Sequence, residues 1–412
     1  MKRCLAALAA GSLLFSMAGQ ASAQSPTRGP QKKGAWYAGD LHVHTTYSHD
    51  SYGGPDDDNT SYDESYTFGW SVGEQGDIAR LRGLDYITIS DHNDVRSITD
   101  PAFGSEGLLW IPAYENSLPG HAQMLGIDRL LDNGQRTLED VQRLADTLHA
   151  EGGAFQINHP SDHGWHDHYG HSFVPDTVEV WNIGAWYHQH PVPAANDNEF
   201  SLRFWDEFLD AGHQVGATGG SDNHWRSLTG IAGVGQPTTW VFAKKPTSDS
   251  ILEAIREGRT TISHQPPAYG GQFAEIEGDR NGDGTFDATL GDTIEPGKPL
   301  RVTVDGAVGA TLRLVTDGSE TLAEVPVTST PFTYELPAPA TSTWLRAEVF
   351  TEDAGEVRAE LSPVCDAFDG FTGFFDQPQT TYCDNRLLML ALTSPIYIQP
   401  DETEAVPSEI TP

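Results

Sequence analysis

The sequence predicts an α/β domain, a parallel sheet closed or wound with helices outside, followed by an all-β sandwich-like domain. Three observations predict it. From residue 36 to about 265, strand-like apolar runs alternate with helical patterns. Histidines and carboxylates fall just after several of those runs, where the strand ends of an α/β barrel converge on one mouth. Around 262–270 the helical patterns stop, Pro266-Pro267-Ala268-Tyr269-Gly270-Gly271 reads as a turn or linker, and short alternating runs take over.

In chain order, Lys2 and Arg3 precede an apolar run from 5 to 18, and Ala21-Ser22-Ala23 resembles a secretory cleavage site, so residues 1–23 are expected to be a leader and the product exported. Cys4 does not stand where a lipid-anchor cysteine would, and no later run approaches the roughly 20 residues of a spanning helix. Residues 24–35 then form a linker. Strands are predicted over 36–44, 86–92, 109–115, 121–127, 153–159, 178–182, 214–219 and 239–243, with helices over 77–83, 137–151, 196–211 and 248–257. In the second helix Thr137 caps, Glu139 and Asp140 suit the first turn, and Leu138, Val141, Leu144, Ala145 and Leu148 recur at helical spacing. Beyond 266, strands are predicted over 300–304, 310–315, 321–327, 332–336, 344–350 and 357–361, and Cys365 with Cys383 is expected to close a disulfide-stapled insertion, as suits an exported chain.

Charge narrows the partners. The 24 basic and 59 acidic residues become 22 and 59 once Lys2 and Arg3 leave with the leader, and such a surface repels nucleic acid. With 38% hydrophobic and 10% aromatic residues the chain can bury a normal core.

In Gly39-Asp40-Leu41-His42-Val43-His44, strand alternation points His42 and His44 to one side. Asp50, Asp91-His92, Glu115, His121, His159 and Asp222 with His224 follow, and fifteen of the sixteen histidines lie between His42 and His224. One strand-end histidine is more often satisfied by a hydrogen bond than by a metal; a set interleaved with carboxylates reverses that preference.

These motifs resemble, in order, the PHP (polymerase and histidinol phosphatase) domain over about 36–265, and within it the exported CehA/McbA-like metallohydrolases: His-x-His, Asp-His, a lone Glu, Asn-His-Pro and Ser-Asp-x-His. The resemblance implies a distorted (β/α)7 barrel of PHP type with two or three metal ions at its C-terminal mouth. Position by position it implies His42, His44, Asp222 and a bridging Glu115 for one ion; Asp50, His92 and His224 for a second; and Glu115, His121 and His159 for a third. Some members carry histidine where Asp50 stands, a departure that is chemically tolerable because carboxylate also binds such metals, and His49 is the alternative if the loop is shifted. CehA-like proteins also carry a C-terminal β domain ending in a segment similar to Ala391-Leu392-Thr393-Ser394-Pro395-Ile396-Tyr397-Ile398, so the resemblance extends more weakly to the whole mature chain.

Zn²⁺, Mn²⁺ or Fe²⁺ in such a cluster lowers the pKa of bridging water and polarises an electrophilic oxygen. Phosphoester hydrolysis is the expected reaction, since most of the wider family does phosphate chemistry; carbamate, amide or carboxylic-ester hydrolysis is the alternative, and a non-catalytic metal- or glycan-binding protein the reading from another class. Asp222 is expected to relay a proton and Asp91 to orient His92. Substrate-side candidates are Trp225 and Arg226, beside the last metal motif, and His163, His166 and His168 in the loop after Asn-His-Pro; Trp181, Trp186 and Arg96 are weighed against ordinary packing and a surface ion pair. Finally, Asp279, Asn281, Asp283 and Asp287 sit at positions 1, 3, 5 and 9 of a calcium-loop pattern with Gly284 at 6, but Leu290 at 12 replaces the bidentate Glu, leaving structural calcium and an Asn/Asp/Gly turn both open.

Overall fold

The structure is a computed structural model that describes residues 34–51, 69–117, 119–131, 137–161, 164–184, 198–224, 233–351 and 388–400. The leader, Cys365, Cys383 and the strand predicted over 357–361 lie outside the described residues. No helix among the described residues is long and apolar enough to cross a membrane.

The first half is a mixed α/β arrangement around a curled sheet. Strand β1 (Ala35–Val43) is parallel to β2 (Tyr86–Ile89), and β2 to β3 (Leu109–Asn116). β4 (Ala122–Leu125) runs antiparallel to β3 and to β5 (Ala154–Ile157). Then β5, β6 (Thr177–Asn182) and β7 (Gly216–Gly220) are parallel, while β8 (Thr238–Ala243) and β9 (Thr260–Ser263) extend the other edge antiparallel from β1. The curl brings the chain beyond β7 back to β1: the Asp222 amide donates to the His42 carbonyl at 2.8 Å and the His44 amide to the Asn223 carbonyl at 3.2 Å.

The expectation of a parallel sheet is therefore corrected at β4, β8 and β9. Residues 117–121 between β3 and β4 are too few for a crossover, which needs about a dozen or more, so the chain must turn back. Strand β9, which continues this antiparallel edge, was not foreseen in the sequence.

Helix α1 (Val72–Leu81) starts earlier than the predicted 77, because Ser71 and Glu74 form a capping box that outweighs the low helix propensity of Gly73 and Gly76. Gly76 is required by packing: a Cβ there would lie 2.6 Å from the Trp110 ring. Helix α2 (Leu138–Ala150) begins at the predicted cap, the Thr137 hydroxyl accepting from the Asp140 amide at 3.2 Å, and buries Val141, Leu144, Ala145 and Leu148. The four-residue α3 (Trp165–His168), α4 (Asn198–Asp210) and α5 (Ser248–Arg256) complete the α-helices among the described residues.

In the second half β10 (Phe273–Gly278), β12 (Pro299–Asp305) and β15 (Phe332–Pro337) make a three-stranded antiparallel sheet. The short β11 (Thr293–Ile294), then β13 (Thr311–Thr316), β14 (Glu320–Pro326), β16 (Trp344–Thr351), β17 (Leu388–Thr393) and β18 (Ile396–Ile398) join the first sheet, since β17 pairs antiparallel with both β9 and β16. Ile276 and Val302 from the small sheet share one buried cluster with Leu312, Ala347, Val349 and Ala391 from the large one. The large sheet is thus continuous across the boundary expected near 265.

Candidate metal centre

Nine side chains meet where the strands of the curled sheet end. His42 and His44 alternate at the end of β1, Glu115 stands near the end of β3, and His92, His121, His159, Asp222 and His224 occupy the short segments that leave or enter neighbouring strands. Asp50 arrives on the loop after β1.

Four ligand atoms form the innermost group. His42 Nε2 is 2.9 Å from His44 Nε2, 3.3 Å from Glu115 Oε2 and 3.2 Å from Asp222 Oδ1, and His44 Nε2 is 3.3 and 3.2 Å from the same two oxygens. Those two oxygens are buried and carry no well-formed hydrogen bond, an arrangement that would be costly unless a cation lay among them. A tetrahedral ion with bonds of about 2.0–2.1 Å would set edges of about 3.3 Å, close to those found. The donor set therefore fits a divalent metal.

A second group is Asp50 Oδ2, His92 Nε2 and His224 Nε2, with separations of 3.1, 2.9 and 3.4 Å. The third uses the other oxygen of Glu115: Oε1 is 3.0 Å from His121 Nδ1 and 3.3 Å from His159 Nε2. Glu115 thus faces two groups with its two oxygens, the geometry of a bridging carboxylate.

The scaffold holds these atoms from behind. Asn158 donates to Glu115 Oε1 at 2.8 Å, and Asn182 donates to Asp222 Oδ2 at 3.2 Å. Ser48 faces His44 Nδ1 at 2.8 Å and accepts from the His92 amide at 2.9 Å. Glu179, on β6, accepts from His42 Nδ1 at 2.9 Å. Asp40 accepts from the amides of His42, Ser221 and Gly235, tying the end of β1 to the segment after β7, and burial lifts its pKa to about 6. His159 and Asp222 hold φ values of 22° and 48°, conformations sparsely populated by side-chain-bearing residues. Sequence reading missed Glu179, Asn182 and Asp40; the signal was there for Glu179 and Asp40, each a lone carboxylate inside an apolar strand run.

The electrostatics follow from the crowding. Burial alone would raise Glu115, but the imidazoles of His121, His42 and His92 outweigh it and hold its carboxyl well below the usual range. Asp222 is likewise held low against its burial by His42 and His224. Burial, reinforced by His224 and His92, pushes His44 down to about 4, whereas Glu115 and Asp50 outweigh burial at His92 and raise it to about 10.

Other predicted residues are placed differently. Asp91 does not orient His92: its buried carboxylate accepts from the Thr45 amide at 2.6 Å and the Thr45 hydroxyl at 2.9 Å, fixing the turn after His44, while His92 Nδ1 faces Ser117 at 2.7 Å. His166 and His168 are not brought to the centre. On α3 only Trp165 is buried, so both histidines are exposed, with His166 packing edge-on to Phe200 at 5.1 Å. His163, Trp186, Trp225 and Arg226 lie outside the described residues. The loop presents Asp50 to the cluster, and His49 is exposed. Arg96 pairs with Asp94 at 2.8 Å, the surface ion pair weighed above, and Trp181 is fully buried core. In the 279–287 loop, Asp279 accepts from the amides of Gly282 and Gly284 at 2.7 and 2.8 Å and Asp283 from that of Thr285 at 2.7 Å, the hydrogen bonding of an Asn/Asp/Gly turn.

No family model matches the chain, and no curated protein does. Among solved structures it is similar to a two-domain protein from Bacteroides vulgatus ATCC 8482 described as containing a predicted PHP-like metal-dependent phosphoesterase, at 16% identity and a TM-score of 0.41, over 80% of this chain and 95% of that one.

Proposed function

We propose that the protein is an exported metal-dependent hydrolase acting on a phosphoester. The observation that carries the reading is Glu115, a buried carboxylate whose two oxygens face separate imidazole groups, with Asp222 Oδ1 beside it lacking a well-formed hydrogen bond. Its His-x-His, Asn-His-Pro and Ser-Asp-x-His motifs support the same reading through their resemblance to PHP metallohydrolases. Divalent ions held there would lower the pKa of coordinated water and stabilise charge on a phosphoryl group.

The chain's own residues do the rest. His42, His44, Glu115 and Asp222 would hold the inner ion, Asp50, His92 and His224 the outer one, and Glu115, His121 and His159 a third. Asp50 and Asp222 are the least buried carboxylates of the cluster, with side chains 35% and 11% exposed, so substrate would approach from their side. Asp222 is there placed to take a proton from the attacking water.

The test is a hydrolysis panel of aryl phosphomonoesters, phosphodiesters, a carbamate and a carboxylic ester, run on the mature chain and on Asp222→Asn. Phosphoester turnover lost in the variant is the expected result. A preference for the carbamate or ester would replace the phosphoester by the CehA-type alternative, and full activity in Asp222→Asn would remove Asp222 from the proton step.

A further inference from the structure

Glu179 is a fully buried carboxylate between Val178 and Val180, themselves fully buried. Burying a carboxylate is costly unless partners compensate, and its partners hold or adjoin the ligand groups. Oε1 accepts from His42 Nδ1 at 2.9 Å. Oε2 accepts from the backbone amide of His159 at 3.2 Å and from Asn182 Nδ2 at 2.9 Å. That same Asn182 nitrogen reaches Asp222 Oδ2 at 3.2 Å. One carboxylate thereby steadies the inner-group ligands His42 and Asp222, together with the backbone of His159.

The outer imidazoles are backed differently. His224 turns Nδ1 to the backbone carbonyl of Asp222 at 2.9 Å, and His92 divides Nδ1 between the Ser117 hydroxyl at 2.7 Å and Glu115 at 3.0 Å. His42 alone of these three has a carboxylate behind it that faces none of the ligand groups. A proton kept on Nδ1 by Glu179 leaves the Nε2 lone pair aimed at His44, Glu115 and Asp222, and a charged acceptor raises the basicity of that donor. Gly220 leaves room for the pair: a Cβ there would sit 2.6 Å from Glu179 Oε1 and 2.3 Å from His42 Cβ.

We propose that Glu179 is a positioning residue for the inner metal group, which fixes the tautomer and direction of His42 and so sets the affinity of that group without governing the group at Asp50, His92 and His224. The proposal rests on the metal-dependent reading above. Its test is a competition titration of metal-stripped mature protein with Zn²⁺ against a chelating indicator, on Glu179→Gln and the wild type, each with and without Asp50→Ala, so that the inner group is read alone in one pair and both groups in the other. Glu179→Gln is expected to weaken inner-group zinc binding by about 10–100-fold and to leave the outer step unchanged. Unchanged inner affinity would overturn the proposal, as would an equal loss at both groups. Should Glu179→Gln fail to fold, imidazole nitrogen chemical shifts of zinc-loaded wild type decide: protonated Nδ1 with coordinated Nε2 at His42 is expected, and the opposite tautomer would overturn it. A wild type that takes up no zinc would instead overturn the metal-dependent reading itself, a result distinct from either of these.

Discussion

At the scale of single residues the centre depends most on Glu115, because its two oxygens serve two groups. Replacing it by Gln removes a charge and gives one position a donor NH₂ where an acceptor is needed. Glu115→Gln is therefore expected to lower metal content by more than one ion per chain, read by elemental analysis after gel filtration; an unchanged content would show that the carboxylate does not bridge. A histidine outside the cluster gives a separate prediction. His264 is buried, stacked on Trp181 with centroids 6.1 Å apart, and burial lowers its pKa to about 4. Below the unfolded pKa of about 6.5 the unfolded chain takes up a proton that the folded one refuses, so stability falls as the pH drops from there towards 4. His264→Gln should flatten that part of the stability curve measured by urea unfolding; an unaltered slope would contradict it. The clustered positions were legible in the sequence because most of them sit just after an apolar strand run and the histidines are interleaved with carboxylates. Asp91 was misread because adjacency to His92 says nothing of direction: successive strand-like residues point to opposite sides, and the carboxylate went to Thr45.

At the scale of elements, the last strands buttress β7, which leads into Asp222. Ser394, just after β17, accepts from the Ala217 amide of β7 at 2.8 Å and lies 2.6 Å from the Thr260 hydroxyl of β9. Ser394→Ala would leave the buried Ala217 amide unpaired and is expected to cost about 1–3 kcal/mol, measured by chemical denaturation; a loss below about 0.5 kcal/mol would mean that water replaces the hydroxyl. The alternation of strands and helices was readable from periodicity and caps, as Thr137 shows. The direction of β4 was not, since period-2 patterning is the same in parallel and antiparallel strands. The insertion of β17 between β9 and β16 was equally hidden, because it joins segments that no local signal relates.

At the scale of the molecule, the centre gathers six imidazoles and three carboxylates at the point where the chain beyond β7 returns to β1. Metal removal should therefore loosen the closure as well as empty the site. A bound ion at 100 times its dissociation constant adds about 2.7 kcal/mol, so dialysis against a chelator is expected to lower the unfolding temperature by on the order of 5 °C, with recovery on adding Zn²⁺ or Mn²⁺. A melting curve indifferent to chelation would count against metals tied to the fold. The acidic balance, 59 acidic against 24 basic residues, was legible from composition alone. The continuity of one sheet through both halves was not, because the turn at 266–271 looks from sequence like a boundary.

The measurement that tests the central claim most directly is the metal content of the purified protein, by elemental analysis, beside that of His42→Ala. Two or three divalent ions per chain, with at least one lost in the variant, is the predicted result. Less than one ion per chain after supplementation with Zn²⁺, Mn²⁺ and Fe²⁺ in turn would contradict the account.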